Sequence, residues 1–190
     1  MRWYLVVLVG PVLAIVAATA VANAVGTGAG QQPMGWAAFP AALAFSIVLG
    51  GGQEEPGWRG YAQPALQGRF SALSSSLIVG VLWAVWHLPL FAVPGATQSG
   101  TGLNFGVLLL YAPGMAVLLA WIYNSTGGSV LLCVLAHGAA NAATVAAYPI
   151  AGTTSQLVLA ATVWALALTV IVISGARTLG GDGAGVRGSQ

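Results

Sequence analysis

The sequence predicts an all-α fold, a polytopic bundle of about six membrane-spanning helices, and three observations carry that prediction. Of the 190 residues, 58% are apolar and only 4% are charged, with a mean hydropathy of +0.89. A soluble globular protein keeps roughly 25% of its residues charged, so a soluble enzyme and a disordered chain are both excluded. The apolar stretches run unbroken for about 20 residues, the length a helix needs to cross the hydrocarbon core. They do not break into the alternating segments of about ten residues that mark a β-barrel. Glycine and proline gather at the joins between the stretches.

Taken in order, the spans fall at about 4–25, 34–55 or beyond, 72–92, 104–123, 128–148 and 154–175. Gly26 to Pro33, Pro94 to Gly102, Gly127-Gly128 and Pro149 to Gly152 punctuate them. Residues 1–179 form one transmembrane domain, and the Gly-rich tail 180–190 reads as disordered. No internal repeat is visible. One alternative concerns the start, where Arg2, an apolar run and Ala22-Asn23-Ala24 have the form of a cleavable signal peptide.

Charge placement gives an orientation. The eight charged residues are Arg2, Glu54, Glu55, Arg59, Arg69, Arg177, Asp182 and Arg187, and there is no lysine. With six spans both termini share one side, and the five arginines fall there if Arg59 and Arg69 belong to a loop at 56–71. The positive-inside bias then predicts a multi-pass cell-membrane protein with cytoplasmic termini. So few charges argue against nucleic-acid binding. The lone Cys133 excludes an internal disulfide and reads as a small apolar residue.

Ionisable residues inside a membrane are expensive and mark function by default. Away from the termini they form three clusters: Glu54-Glu55-x-x-x-Arg59, Trp83-x-x-x-His87 and His137-x-x-x-Asn141. Two carboxylates, two imidazoles and a carboxamide can hold and deprotonate a water, with or without a metal ion. Each cluster also has a bland reading: charges at a helix end, an aromatic belt, an interhelical hydrogen bond. Glu55 and Arg59 stand i, i+4 and can pair. Glu54, turned about 100° from Glu55, is left to meet other helices. Gly50-Gly51-Gly52 and Pro56 should kink or unwind this stretch.

The clusters share a depth only if the second helix continues past Pro56 to about Gln67 and turns at Gly68. Glu54 is then 14 residues before the turn and His87 is 19 after it, while His137 lies ten beyond Gly127. A helix ending at Glu55 would separate Glu54 from His87 by more than about 20 Å, at 1.5 Å per residue.

These clusters resemble the three motifs of the CAAX protease and bacteriocin-processing (CPBP) family of intramembrane proteases, also called the abortive-infection family: E-E-x-x-x-R, F-x-x-x-H and H-x-x-x-N. Trp83 stands where the family usually has Phe. The resemblance covers about 36–148, a CAAX-protease-like catalytic core, with fewer spans than the eight or so of many members. It implies that Glu54, helped by His87, activates a water. His137 and Asn141 would then stabilise the oxyanion, and Arg59 would orient Glu55. In a metal-dependent version Glu54, His87 and His137 would hold a zinc ion. Both versions imply an intramembrane endopeptidase, glutamic or metallo, with a cytoplasm-facing cavity. It would act on a membrane-proximal bond of a peptide or lipidated-protein substrate. A non-proteolytic scaffold or bacteriocin-immunity protein keeping the motifs as a polar core is the alternative, and a small proton-relaying transporter is a third reading.

Overall fold

The computed structural model describes residues 1–27, 33–100, 102–150 and 152–181. Among the described residues, six helical stretches are long and apolar enough to cross a membrane: Arg2–Ala24, Trp36–Gln67, Ala72–Phe91, Phe105–Ser125, Val130–Ala147 and Gly152–Ser174. Their ends differ from the sequence expectation by no more than two residues, apart from the second, which runs on to Gln67. The disorder expected of the tail lies, from residue 182 onward, outside the described residues.

Helix α1 is Arg2–Ala24. The second stretch is segmented. A 3-10 turn at Trp36–Ala38 leads into α2, Phe39–Val48. A second 3-10 turn at Gly51–Glu54, α3 (Glu55–Gly57), a π-helical segment at Trp58–Ala62 and α4 (Gln63–Gln67) complete it. Helix α5, Ala72–Trp86, passes into a 3-10 turn at Leu88–Phe91. The short α6 is Thr97–Gly100, and α7, α8 and α9 are Phe105–Ser125, Val130–Ala147 and Gly152–Ser174.

Span starts are written locally. Ser71, Asn104 and Ser129 cap α5, α7 and α8, each side-chain oxygen accepting a backbone N–H of the first turn. Gly127 and Gly128, at φ +65° and +87°, make the tight reversal from α7 to α8 that a side chain would strain.

Helix α8 is the centre of the bundle, packed against α1, α2 and the Gly51–Glu54 turn, with α7 beside it. Its buried face is nearly all small: Ala136, Gly138, Ala139, Ala140, Ala142, Ala143 and Ala146. In lipid there is no water to drive helices together, so close contact between small residues does that work. Helix α1 uses the same device, burying Ala18 and Ala22 in a cluster with Ala143. A close crossing joins α5 to α7, where a Cβ on Gly80 would fall 2.3 Å from Pro113 Cα. The outer surface is apolar, with Val172 and Ile173 at 83% and 78% exposure. Such a girdle suits a lipid environment and would aggregate in water.

One part of the charge reading is corrected. Arg59 does not belong to a cytoplasmic loop; it is wholly buried within the second helical stretch. Burial among helices α3, α5 and α8 is sustainable because Glu55 lies one turn away and supplies the opposite charge.

Candidate active site

The break before Glu54 follows from three glycines. The N–H groups of Leu49 and Gly50 both reach the Phe45 carbonyl, and the path then tightens into the 3-10 turn. A Cβ on Gly50 would fall 2.9 Å from Ser46 Cα, and one on Gly52 would fall 2.5 Å from the Ile47 carbonyl oxygen. One on Gly51 would fall on the His137 ring, 2.2 Å from Nε2. The first two allow the chain to fold back on itself, and the third makes room for the histidine. The unwinding expected at Gly50 to Gly52 is therefore present, and the π-helical segment follows it, a distortion frequent at functional sites.

Past this break the two carboxylates part. Glu55 is fully buried, and its Oε1 accepts from Arg59 Nη1 at 3.1 Å and from His137 Nδ1 at 2.7 Å. The Arg59 guanidinium also lies over the Trp83 ring, 5.7 Å from its centroid. Glu54 turns the other way, half-buried, and its Oε2 accepts from the Trp83 indole N–H at 2.5 Å. His87 caps the end of α5, with Nδ1 at 2.9 Å from the Trp83 carbonyl. A carbonyl only accepts, so that nitrogen carries the proton. An ionised Glu55 likewise assigns the proton of His137 to Nδ1. Both rings are left with Nε2 for other work.

One cavity of about 510 Å³ collects these groups. Glu54, Trp83, His87, His137 and Asn141 line it together with Gly51, Ser46 and Tyr111. The side chain of Asn141, one turn beyond His137, has no hydrogen-bond partner among the described residues. Glu55 and Arg59 stand behind the wall, so the six sequence-predicted residues divide into four that face the cavity and two that support it. Cys133 is buried with Sγ on the Leu119 carbonyl, in the core cluster.

Two further features depart from the sequence reading or were missed by it. The cavity is lined by the second helical stretch between Ala42 and Glu54, the end of α5, the start of α7, the later half of α8 and the start of α9, together with Gln98, Leu103 and Ile150. It therefore extends toward the end of the bundle away from both chain ends, because successive spans alternate in direction. The sequence reading expected an opening on the side of the termini, whereas the lining residues lie toward the other end. The second feature is the indole of Trp83, which the spacing marks only as an aromatic wall. The signal was in the residue type, since tryptophan has an N–H donor that phenylalanine lacks.

As placed, the side chains do not form a three-ligand metal centre. Among the described residues no three of His, Cys, Asp and Glu gather closely enough to hold an ion, whereas a catalytic zinc takes three protein ligands. One Glu54 oxygen is already engaged by Trp83.

A helical membrane bundle with a buried carboxylate–histidine pair behind an apolar-walled cavity that holds a few polar groups is thus the class of protein that fold and site define. The family model described as type II CAAX prenyl endopeptidase Rce1-like matches residues 4–143, and the chain belongs to that family. The match contains all six site residues and also takes in the first span. CAAX prenyl protease 2 of Methanococcus maripaludis is 33% identical over 100 residues, covering 49% of this chain and 36% of the relative. The chain thus matches little more than a third of that relative's length.

Proposed function

We propose that this protein is an intramembrane endopeptidase that hydrolyses a membrane-proximal peptide bond with a water activated by Glu54. The observation that carries the reading is the meeting of Glu54, His87, His137 and Asn141 on one cavity, with Glu55 and Arg59 fixing His137 from behind. Family membership supports the same reaction class.

In this mechanism the water lies between Glu54 and His87 Nε2. Glu54 takes a proton as the water oxygen attacks the scissile carbonyl carbon. The oxyanion that forms accepts from the Asn141 amide N–H, while His137, held in one orientation by the Glu55 carboxylate, shapes the cavity wall beside it. As the C–N bond breaks, Glu54 returns the proton to the departing amine, leaving a carboxylic acid on one product and an amine on the other. His87, its Nδ1–H tied to the backbone, accepts from the water and keeps it in line.

The test is cleavage of a library of membrane-spanning and lipidated peptides by the purified protein in detergent or nanodiscs. Wild type should cleave and His137→Ala should not, and a chelator should leave the wild-type rate unchanged. Equal processing by wild type, Glu54→Gln and His137→Ala would reject the reading and favour a scaffold that keeps the motifs as a polar core.

The glycine beside His137 supplies a second prediction. Gly51→Ala pushes the imidazole aside and should lower kcat about a hundredfold, the scale on which small misplacements act. Gly57→Ala, where a Cβ meets nothing within 4 Å, should leave kcat unchanged. Parallel steady-state assays of the two variants check it.

A further inference from the structure

We propose that Trp83 is a positioning residue for Glu54, acting through its indole N–H and not only through its ring. The inference rests on the reading of Glu54 as the base and adds to it what fixes that base in place. Glu54 sits on a 3-10 turn just after three successive glycines, on a path with little stiffness of its own. Among the described residues its carboxylate has one hydrogen-bond partner, Trp83 Nε1. That bond spans two separate helical stretches and engages Oε2, leaving Oε1 for a water.

The donor is itself held on every side. Trp83 is 5% exposed and belongs to the central core cluster with Ala84, Met115, Cys133 and Ala136. Its ring meets His137 edge-on at 5.2 Å and His87 at 5.8 Å, and the Arg59 guanidinium lies over it. One side chain thus touches Glu54, His87, His137 and Arg59, and Glu55 lies directly behind two of them. An indole so confined has one direction in which to offer its proton, and Glu54 is there. A phenylalanine in this place would keep the aromatic wall and lose the tether.

The test separates ring from donor. Trp83→Phe is paired with incorporation at position 83 of β-(3-benzothienyl)alanine, which keeps the bicyclic shape and replaces the N–H by sulfur. Both should lower kcat roughly tenfold to a hundredfold, the range of a lost hydrogen bond to a charged group. KM should stay within about twofold for the isostere, because the cavity wall is preserved. A spectroscopic readout is independent of turnover. The chain has only two glutamates, Glu54 and Glu55, so ¹³C-carboxyl glutamate gives two labelled side chains. In the isostere the infrared carboxylate band of Glu54, identified by its loss in Glu54→Gln, should shift while that of Glu55 stays. Wild-type kcat and an unmoved band in the isostere would overturn the proposal and leave Trp83 a packing residue. Should the wild type cleave no peptide, the enzymatic reading fails by itself, and the band shift alone still decides whether the indole N–H positions Glu54.

Discussion

Glu54→Gln yields a folded protein with no measurable peptidase turnover. Glutamine has the shape of glutamate, and its carbonyl oxygen can still accept from the Trp83 indole, so the packing around the 3-10 turn survives. What is lost is a group that takes a proton from water and gives it back to the leaving amine. Loss of such a group typically costs about 10²–10⁴-fold in rate, and here the same residue serves both proton transfers. Single-turnover assays should show the collapse in the chemical step, with substrate binding retained. The thermal midpoint in detergent should match wild type. A Glu54→Gln protein that cleaves at the wild-type rate would remove the base from the scheme.

Arg59→Met should produce the largest loss of stability of any single substitution at the site. Arg59 and Glu55 are both wholly buried, 3.1 Å apart, and the same carboxylate oxygen also holds His137. Removing the guanidinium leaves a buried carboxylate with one partner, and breaking a buried pair in this way costs about 3–5 kcal/mol. The thermal midpoint should fall sharply and turnover with it, since His137 loses its fixed anchor. The double variant Arg59→Met/Glu55→Gln should recover part of the lost midpoint, because no unpaired charge remains. Thermal unfolding of the two variants side by side checks this. A single variant as stable as wild type would show that the pair contributes nothing.

The course of the second helical stretch was legible because charge is so scarce. Glu54 and His87 could share a water only if the chain remained helical past Pro56, and it does so to Gln67. Span ends were legible from glycine, proline and capping residues such as Ser71 and Ser129. The contact between Glu55 and His137 was not, since it depends on how α2, α3 and α8 register against one another, and many apolar faces offer the same periodicity. Arg59 misled the charge count for a related reason: an arginine near a span end and a buried partner of a glutamate look alike in sequence. Asn124, near the end of α7, joins Gln67 to the Thr178 carbonyl, a link between segments far apart in the chain that no motif marks. The direction in which the cavity extends needed the lining from five spans, which no single motif contains.

The segment after the last span gives the bundle an order of assembly. The N–H groups of Ala72 and Leu73, at the free start of α5, are taken by the carbonyls of Arg177 and Ala176. Leu179 is fully buried beside Ala72, Val117 and Ala120. The first turn of α5 therefore lacks its partners until residues made about a hundred positions later have followed α9 into place. Chains emerge from synthesis N-terminal end first, so α5, which carries Trp83 and His87, is finished among the last. The working geometry of the cavity thus depends on residues 176–179: a nascent protein that already has all three motifs still waits for them to close the start of the helix bearing one of them.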